Sequence, residues 1–343
     1  MHAIRRTLLG WYDEAGRDLP WRHTRDPYAV WVSEVMLQQT RVETVIPYYE
    51  RFLERFPTLH ALAEADEDTV LSHWSGLGYY RRARLLQAGV REVVAQYGGA
   101  VPEDADARRA LPGVGRYTAG AIGSIAFERE EPVVDGNVTR VLARLLRIKT
   151  PVGASVTTER LWEEASRLVP GERPGDLNQA LMELGATICT PRQPRCDACP
   201  VVATCRAHAT GEVDEIPVPR ARKAPKEVKL AAVVATRGRG AGRQVWLVKG
   251  QGALFGGLWS VPMAEGAARA VLRDAGLRAR LGSEPVGTIE HELTHRRLKI
   301  DVFRASSALG KESETRRLFA SDQLETVGIS TLTSKLLATT LER

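Results

Sequence analysis

Residues 108–127 read RRALPGVGRYTAGAIGSIAF: a short helical run, a tight turn at Leu111, Pro112, Gly113, Val114 and Gly115, and an apolar helix behind it. Two glycines in so short a turn let the backbone approach a ligand closely, and the first amides of the following helix have no partner within it. Those amides and the helix dipole favour negative charge, so the turn is a candidate phosphate grip. An ordinary interhelical turn is the competing reading, and the flanking sequence decides between them.

On both sides the chain is helical. Val42, Val45, Ile46, Tyr49, Phe52, Leu53 and Phe56 recur at intervals of three and four, and similar apolar stripes run over 79–97, 138–148 and 157–169. Pro27 suits the first turn of a helix, and Gly76 and Gly98 sit just past helical runs, where a left-handed cap is needed. Residues 207–228, with Pro217, Pro219 and Pro225 among Arg and Lys, read as a linker. Beyond them KLAAVVAT, RQVWLVK, LWSVPM and RLKIDVFRA are short apolar or alternating runs, with helical stretches near 266–275 and 331–341. The expectation is multidomain: an all-α domain over 1–206 that contains a helix-hairpin-helix at about 106–127, then a small α+β domain over 229–343.

With 343 residues, 43% of them hydrophobic, the chain can bury substantial cores, and a formal charge of +6 leans toward polyanionic partners. No apolar run approaches the roughly 18 residues of a membrane helix. The opening MHAIRRTLLGWYDEAG lacks the apolar core and cleavage site of a signal peptide. A cytoplasmic protein without a membrane partner is expected, and nothing demands more than a monomer.

All four cysteines fall in one loop, Cys189, Cys196, Cys199 and Cys205, at spacing C-x6-C-x2-C-x5-C. In a reducing compartment such a cluster points to metal or redox chemistry and away from disulfides. Four thiolates complete one tetrahedral site, and the spacing alone leaves zinc and an iron-sulfur cluster both open. Arg192 and Arg195 lie between the first two ligands, so a bound group would also fix a basic loop suited to phosphate.

The stretch DPYAVWVSEVMLQQT is apolar nearly all round, which marks a buried helix, and Glu34 sits in its middle beside Val30, Trp31, Leu37 and Gln38. A carboxyl so desolvated holds its proton near neutral pH, as a general acid must; an ordinary Glu reaching solvent is the competing reading. Asp135, just before NVTRVLARLL, reads on its own as a helix N-cap, as does Asn137.

The hairpin, then VVDGNVTR, then the cysteine loop together resemble the helix-hairpin-helix superfamily of DNA base-excision glycosylases, which carry a [4Fe-4S] cluster. Within it LPWR, SEVMLQQTRVETVIPYYERF and GLGYYRRARLL closely resemble the MutY family of adenine DNA glycosylases, colinearly over nearly all of residues 10–206. The C-terminal half resembles that family's Nudix-like domain, and GALFGGLWSVPM its strand entry. The resemblance implies base-excision repair: hydrolytic removal of adenine mispaired with 8-oxoguanine or G in double-stranded DNA, and a [4Fe-4S] cluster on the four cysteines.

It also implies roles. Glu34 protonates the flipped adenine at its imidazole-ring nitrogen, Asp135 stabilises the sugar cation, and Asn137 helps hold the constellation. Tyr117 stands where bifunctional relatives resembling endonuclease III carry a lysine that forms a Schiff base; a tyrosine cannot, so water is the nucleophile and the enzyme is monofunctional. Gln38 and Tyr79 match residues that wedge into the duplex, and Trp21 and Glu183 match the adenine pocket, though either could serve a helical core. Leu111, Gly113, Val114, Gly115, Arg192 and Arg195 would meet the DNA backbone. Leu293, Thr294 and His295 replace a Phe-Ser-His turn that probes 8-oxoguanine; the hydroxyl is kept and the aromatic lost. The alternatives are a glycosylase of the same superfamily for another mispaired or damaged base, and a binder of damaged DNA without catalysis.

Two motifs point elsewhere. HELTH, residues 291–295, fits the zinc-peptidase pattern H-E-x-x-H, but the alternation around it predicts a strand hairpin, where the two imidazoles do not converge. EGAARAVLRDAGL stands where a Nudix hydrolase carries its metal-binding glutamates and has lost them, so this domain is expected to bind and not to hydrolyse.

Overall fold

The computed structural model describes residues 2–219, 224–252, 255–293 and 295–341. Its helices are α1 (His2–Ala15), α2 (Pro27–Leu37), α3 (Val42–Arg55), α4 (Leu59–Glu64), α5 (Glu67–His73), α6 (Arg81–Gln96), α7 (Ala105–Ala110), α8 (Arg116–Phe127), α9 (Gly136–Leu145), α10 (Ser155–Leu168), α11 (Pro174–Thr187), α12 (Arg206–Ala209), α13 (Ala268–Asp274) and α14 (Thr331–Leu341). The strands are β1 (Lys226–Arg237), β2 (Gln244–Lys249), β3 (Trp259–Ser260), β4 (Met263–Ala264), β5 (Arg278–Leu281), β6 (Gly287–Leu293), β7 (Arg296–Leu309) and β8 (Arg316–Ala320). They form two compact units, Met1–Ala63 with Leu86–Arg222 and Glu64–Leu85 with Lys223–Arg343. None of the described helices is long and apolar enough to cross a membrane.

The first unit is built around α2. Asp26 caps it by accepting from the amides of Tyr28 and Ala29, Pro27 opens it, and every residue from Tyr28 to Met36 is buried. A helix apolar on all sides must be enclosed, and α3 and α8 pack against it. A second core joins Val138, Val141, Leu142 and Leu145 of α9 to Leu161 and Leu168 of α10 and Leu177, Leu181 and Leu184 of α11. Each such side chain contributes about 1.5–3 kcal/mol of burial. Cys189, Cys199 and Cys205 rest partly buried on this core.

The hairpin joins α7 to α8. Val114 N–H bonds Leu111 O at 3.1 Å, and Gly113 takes φ +76°, a left-handed value that a side chain would resist. Arg108, fully buried, ties the two helices together. Its Nε donates to Ala119 O at 3.2 Å, its Nη1 to the carbonyls of Pro102 and Glu103, and its Nη2 pairs with Glu131.

The segment expected as a linker differs from that reading up to residue 218. Ala207 and Ile216 are buried, Arg144 Nε donates to Val213 O and Ile216 O, and Val152 N–H bonds Val218 O. Two apolar anchors and a buried guanidinium hold it to the helical unit, and β1 begins at Lys226. Residues 220–223 lie outside the described residues.

The second unit is an eight-stranded mixed sheet in the path β3-β2-β1-β7-β5, with β4 on β1, β6 on β7 and β8 on β2. β1 and β7 run parallel from Lys226 opposite Arg296 to Ala235 opposite Ala305. Even-numbered residues of both, Ala232, Val234, Ile300 and Val302 among them, face Leu332, Leu336 and Leu337 of α14; odd-numbered Ala231, Val233 and Ala305 face Val271 and Leu272 of α13. Residues 64–85, read from sequence as part of the helical domain, cluster here: Asp68 Oδ1 accepts from Lys249 Nζ at 2.8 Å and from Trp259 Nε1 at 3.3 Å. HELTH spans the end of β6 and the entry to β7, with Leu293 opposite Arg296, so no helix carries its histidines. Thr294 lies outside the described residues.

Candidate active site

Four elements of the helical unit converge on a cleft of about 640 Å³. α2 brings Glu34 and Gln38 from its last turns, α8 brings Tyr117 and Thr118 straight after the hairpin, α9 brings Asp135 and Asn137 at its start, and α11 brings Glu183. Trp21, Arg17, Arg22, Gly113 and Gly115 also line it. A second cleft of about 660 Å³, beside Pro57, His60 and Gly99, carries only the exposed carboxylates of Asp26 and Glu103.

Glu34 is 4% exposed, and its Oε2 accepts the hydroxyl proton of Tyr117. Burial pushes the carboxyl up to about 7; the Tyr117 hydrogen bond and the Arg22 charge oppose the rise, and the neighbouring Asp135 adds to it. Tyr117 is held well above its ordinary value by burial and by Glu34, so it stays a neutral donor. Asp135 caps α9, accepting from Val138 N–H at 2.7 Å and from Asn137 Nδ2 at 2.8 Å. Burial raises it, while those donors and Arg140 favour its charged form. The pair is therefore divided by environment: Glu34 keeps a proton, and Asp135 has the donors that stabilise charge.

Glu183, 1% exposed, lies opposite two arginines. Arg17 forks onto both oxygens, Nε at 2.7 Å and Nη2 at 3.0 Å, and Arg22 Nη2 adds a bond at 2.7 Å. Burial raises this carboxyl, but the two guanidinium groups outweigh it and hold it below its ordinary value. Arg22 Nε is buried without a partner among the described residues, leaving a donor at the cleft wall. Trp21 is buried and meets Tyr49 edge-on at 5.5 Å. Gln38 ends α2, with Nε2 3.4 Å from Thr118 Oγ1.

In the hairpin Leu111 and Val114 turn their side chains into the core and Gly113 and Gly115 are exposed, so only backbone is offered to a ligand there. No side chain caps α8 at Gly115. Tyr79 belongs to the second unit, 48% exposed and at φ +47°. Leu293 ends β6, partly buried against the sheet core, and His295 is exposed, its carbonyl accepting from Lys226 N–H.

The cysteine loop is reached through α9. Arg140 donates from Nε to Cys189 O at 2.7 Å and from Nη2 to Asn137 Oδ1 at 2.8 Å and Gly185 O at 2.7 Å. Arg144, one turn on, donates to Cys189 Sγ at 3.3 Å and Thr190 O at 2.8 Å. Burial, with the other three cysteines adding to it, pushes Cys199 up to about 11. Cys189 and Cys205 thus lie close enough to oppose the ionisation of Cys196 and Cys199, a donor set that suits a cationic group able to take up the charge. Among the described residues no group of three or more His, Cys, Asp or Glu is already gathered as metal ligands, His291 and His295 included. Arg192 and Arg195 are exposed, and Arg195 Nη2 bonds Thr187 O.

Sequence reasoning missed Arg17, Arg22 and Arg140. The one available signal was Arg22 inside LPWR, next to Trp21.

Residues 32–167 match the HhH-GPD superfamily base excision DNA repair protein family and residues 232–339 match the NUDIX domain. An adenine DNA glycosylase of Rattus norvegicus is 56% identical over 215 residues, 60% of this chain and 42% of that protein. One of Buchnera aphidicola subsp. Schizaphis graminum is 37% identical over 235 residues, 68% of each. The structure of a thermostable thymine-DNA glycosylase, 32% identical, matches with a TM-score of 0.55 over 61% of this chain and 96% of that one. The chain spans about two fifths of the length of its mammalian relatives. Identity of this extent over two thirds of the bacterial relative, on a helical unit that holds a divided carboxyl pair, settles the kinship: the chain belongs to the adenine DNA glycosylase family.

Proposed function

We propose that the protein is a monofunctional DNA glycosylase that hydrolyses the N-glycosidic bond of adenine mispaired with 8-oxoguanine, or with G, in duplex DNA. The observation that carries this reading is Glu34: a buried carboxyl raised to about 7 in the same cleft as Asp135. Glu34 supplies the proton that turns the extruded purine into a neutral leaving group. Asp135, held by Val138 N–H and Asn137, faces the positive charge that develops on the sugar, the division of labour of glycoside hydrolysis. Tyr117 keeps the acid in place and offers no amine, so water completes the reaction without a lysine-type strand break at this position. Glu183 and the spare donor of Arg22 give the base polar contacts, with Trp21 as an apolar wall.

The exposed hairpin backbone and the amides opening α8 would grip phosphates, and the exposed Arg192 and Arg195 would add cationic contacts to the backbone. Gln38 and Tyr79 would occupy the space left in the stack, and Leu293, Thr294 and His295 would meet the opposite base. Cys189, Cys196, Cys199 and Cys205 would hold a [4Fe-4S] cluster, whose four thiolate bonds would pin the basic loop. Four reduced thiols in one loop also support a cytoplasmic setting.

The thymine-DNA glycosylase likeness favours a second reading, excision of another base on the same scaffold. Thymine has no imidazole ring to protonate, so the poised acid favours a purine. Single-turnover release from duplexes carrying A opposite 8-oxoguanine, A opposite G, T opposite G, or only matched pairs decides it. Adenine release from mispairs, with strand breaks only after alkali, is expected; thymine release overturns the substrate, and no release from any duplex leaves a binding protein.

A further inference from the structure

The sheet face covered by α14 changes character where the helix ends. Along β1 and β7 the even-numbered rows run from Ala232 and Val302 through Val234 beside Arg304. The rows then turn polar: Thr236 follows on β1, Ser306 on β7, and Arg280 of β5 stands opposite Ser306. Past the end of an apolar helix a solvated mixture of charges is the ordinary outcome. Here the turn between β1 and β2 adds Arg239 and Arg243, and these polar residues together with Ser307 and Thr340 line a cavity of about 340 Å³. Four guanidinium groups and four hydroxyl-bearing residues line it, and among the described residues no carboxylate does.

Two further observations mark it as built. Arg304 Nη2 is anchored on Thr340 O at 2.6 Å, which fixes one guanidinium in the wall, and among the described residues Arg239, Arg280 and Arg304 make no ion pair. Ser307 holds a left-handed backbone at φ +53°, uncommon for serine and found where surrounding structure imposes it. Arg239, Arg280 and Arg304 thus repel one another without a carboxylate partner among the described residues, and an anion in the cavity would relieve that repulsion. Planar guanidinium forks match tetrahedral oxyanions, and hydroxyls complete the set.

From these residues we infer that the cavity is a phosphate-binding site. Its occupant is a phosphate group, carried either on a DNA backbone or on a free polyphosphate compound; the first source rests on the DNA-glycosylase reading, the second does not.

The test uses the full chain and its Arg239→Ala/Arg280→Ala double variant, both being exposed positions that do not line the catalytic cleft. Inorganic pyrophosphate is expected to raise the melting midpoint of the wild type and not of the variant, with sodium chloride at matched ionic strength controlling for general salt effects. In parallel, undamaged-duplex affinity is measured against salt. Loss of one backbone contact lowers the log–log slope by about 1, with single-turnover excision at saturating DNA unchanged. A pyrophosphate effect lost in the variant while the DNA slope stays put upholds the site and assigns it to a free polyphosphate. Equal pyrophosphate responses in both proteins together with an unchanged slope overturn the proposal. Wild type that excises nothing sinks the glycosylase reading and leaves the pyrophosphate comparison standing.

Discussion

A carboxyl that titrates at about 7 inside the protein, against an ordinary value of 4.5, weakens the fold whenever it is ionised. Its folded value lies above its unfolded one, so the native state binds the extra proton between those two pH values. Stability is retained below about 4.5, declines as pH rises toward 7, and is then lower by up to about 3 kcal/mol. Glu34→Gln should therefore abolish excision and yet raise the urea midpoint at pH 8, with the gain shrinking toward pH 4.5; a variant less stable than wild type at pH 8 contradicts a desolvated acid. With Glu34 as the proposed proton donor, the excision rate is expected to show an alkaline limb near pH 7. Because the Tyr117 hydroxyl favours the ionised form, Tyr117→Phe should shift that limb upward, by up to about one pH unit. Single-turnover rates from pH 5 to 9 read the shift directly. Glu34 was legible in the sequence because an apolar helix announces its own burial. Arg17 and Arg22 were not, since a charged residue in sequence carries no sign of the buried carboxylate, more than 160 positions away, that it will meet.

Helices α3, α6, α9 and α10 were readable from their period and α2 from its unbroken apolar run, as were β1, β2 and β7 from composition, because each pattern repeats long enough to outweigh chance. β5 and β8, read as RARL and RRLFA, were not: each is short and rich in arginine, and what makes it a strand is a partner far along the chain. The placement of 64–85 with the sheet was equally hidden. There the loop 76–80 is held by several ties: Ser75 Oγ and the Tyr80 hydroxyl both donate to Ile329 O, and Trp74 Nε1 and Arg82 Nη2 donate to Gly78 O. Gly76, Gly78 and Tyr79 all take left-handed backbone, which sets the exposed Tyr79 ring over Arg82. Gly78 has open space where a Cβ would stand, so Gly78→Ala isolates the backbone cost at φ +72°. It should destabilise by about 1–2 kcal/mol. Gly10→Ala, equally open but inside α1, should stabilise by about 0.5–1 kcal/mol. Denaturant midpoints of the two variants must move in opposite directions if the loop conformation, and not lost flexibility in general, is at stake.

Across the whole helical unit, α9 is the member shared by the cleft and the cysteine loop. Asp135 caps it; Asn137, Arg140 and Arg144 then recur at intervals of three and four, one face of the helix. The sequence assigns those arginines no role, and only the fold shows Arg144 to be 2% exposed and Arg140 to be spent on Asn137, Gly185 and Cys189. Gly185 permits this, because a Cβ there would stand 2.5 Å from that of Asn137. Since the Asn137 amide that donates to Asp135 is oriented through its own oxygen by Arg140, Asp135 and the cysteine loop share one guanidinium. Arg140→Met keeps the apolar stem and removes four hydrogen bonds. Leaving those carbonyls unsatisfied should cost about 1–3 kcal/mol of stability, and the loosened Asp135 should lower single-turnover excision by at least about tenfold. Arg192→Ala, on the exposed part of the same loop, should leave both the melting midpoint and the saturated rate in place and weaken only duplex affinity. If Arg140→Met lowers stability and excises at the wild-type rate once refolded and saturated with DNA, the guanidinium is a brace for the loop alone and Asp135 is held by its helix cap.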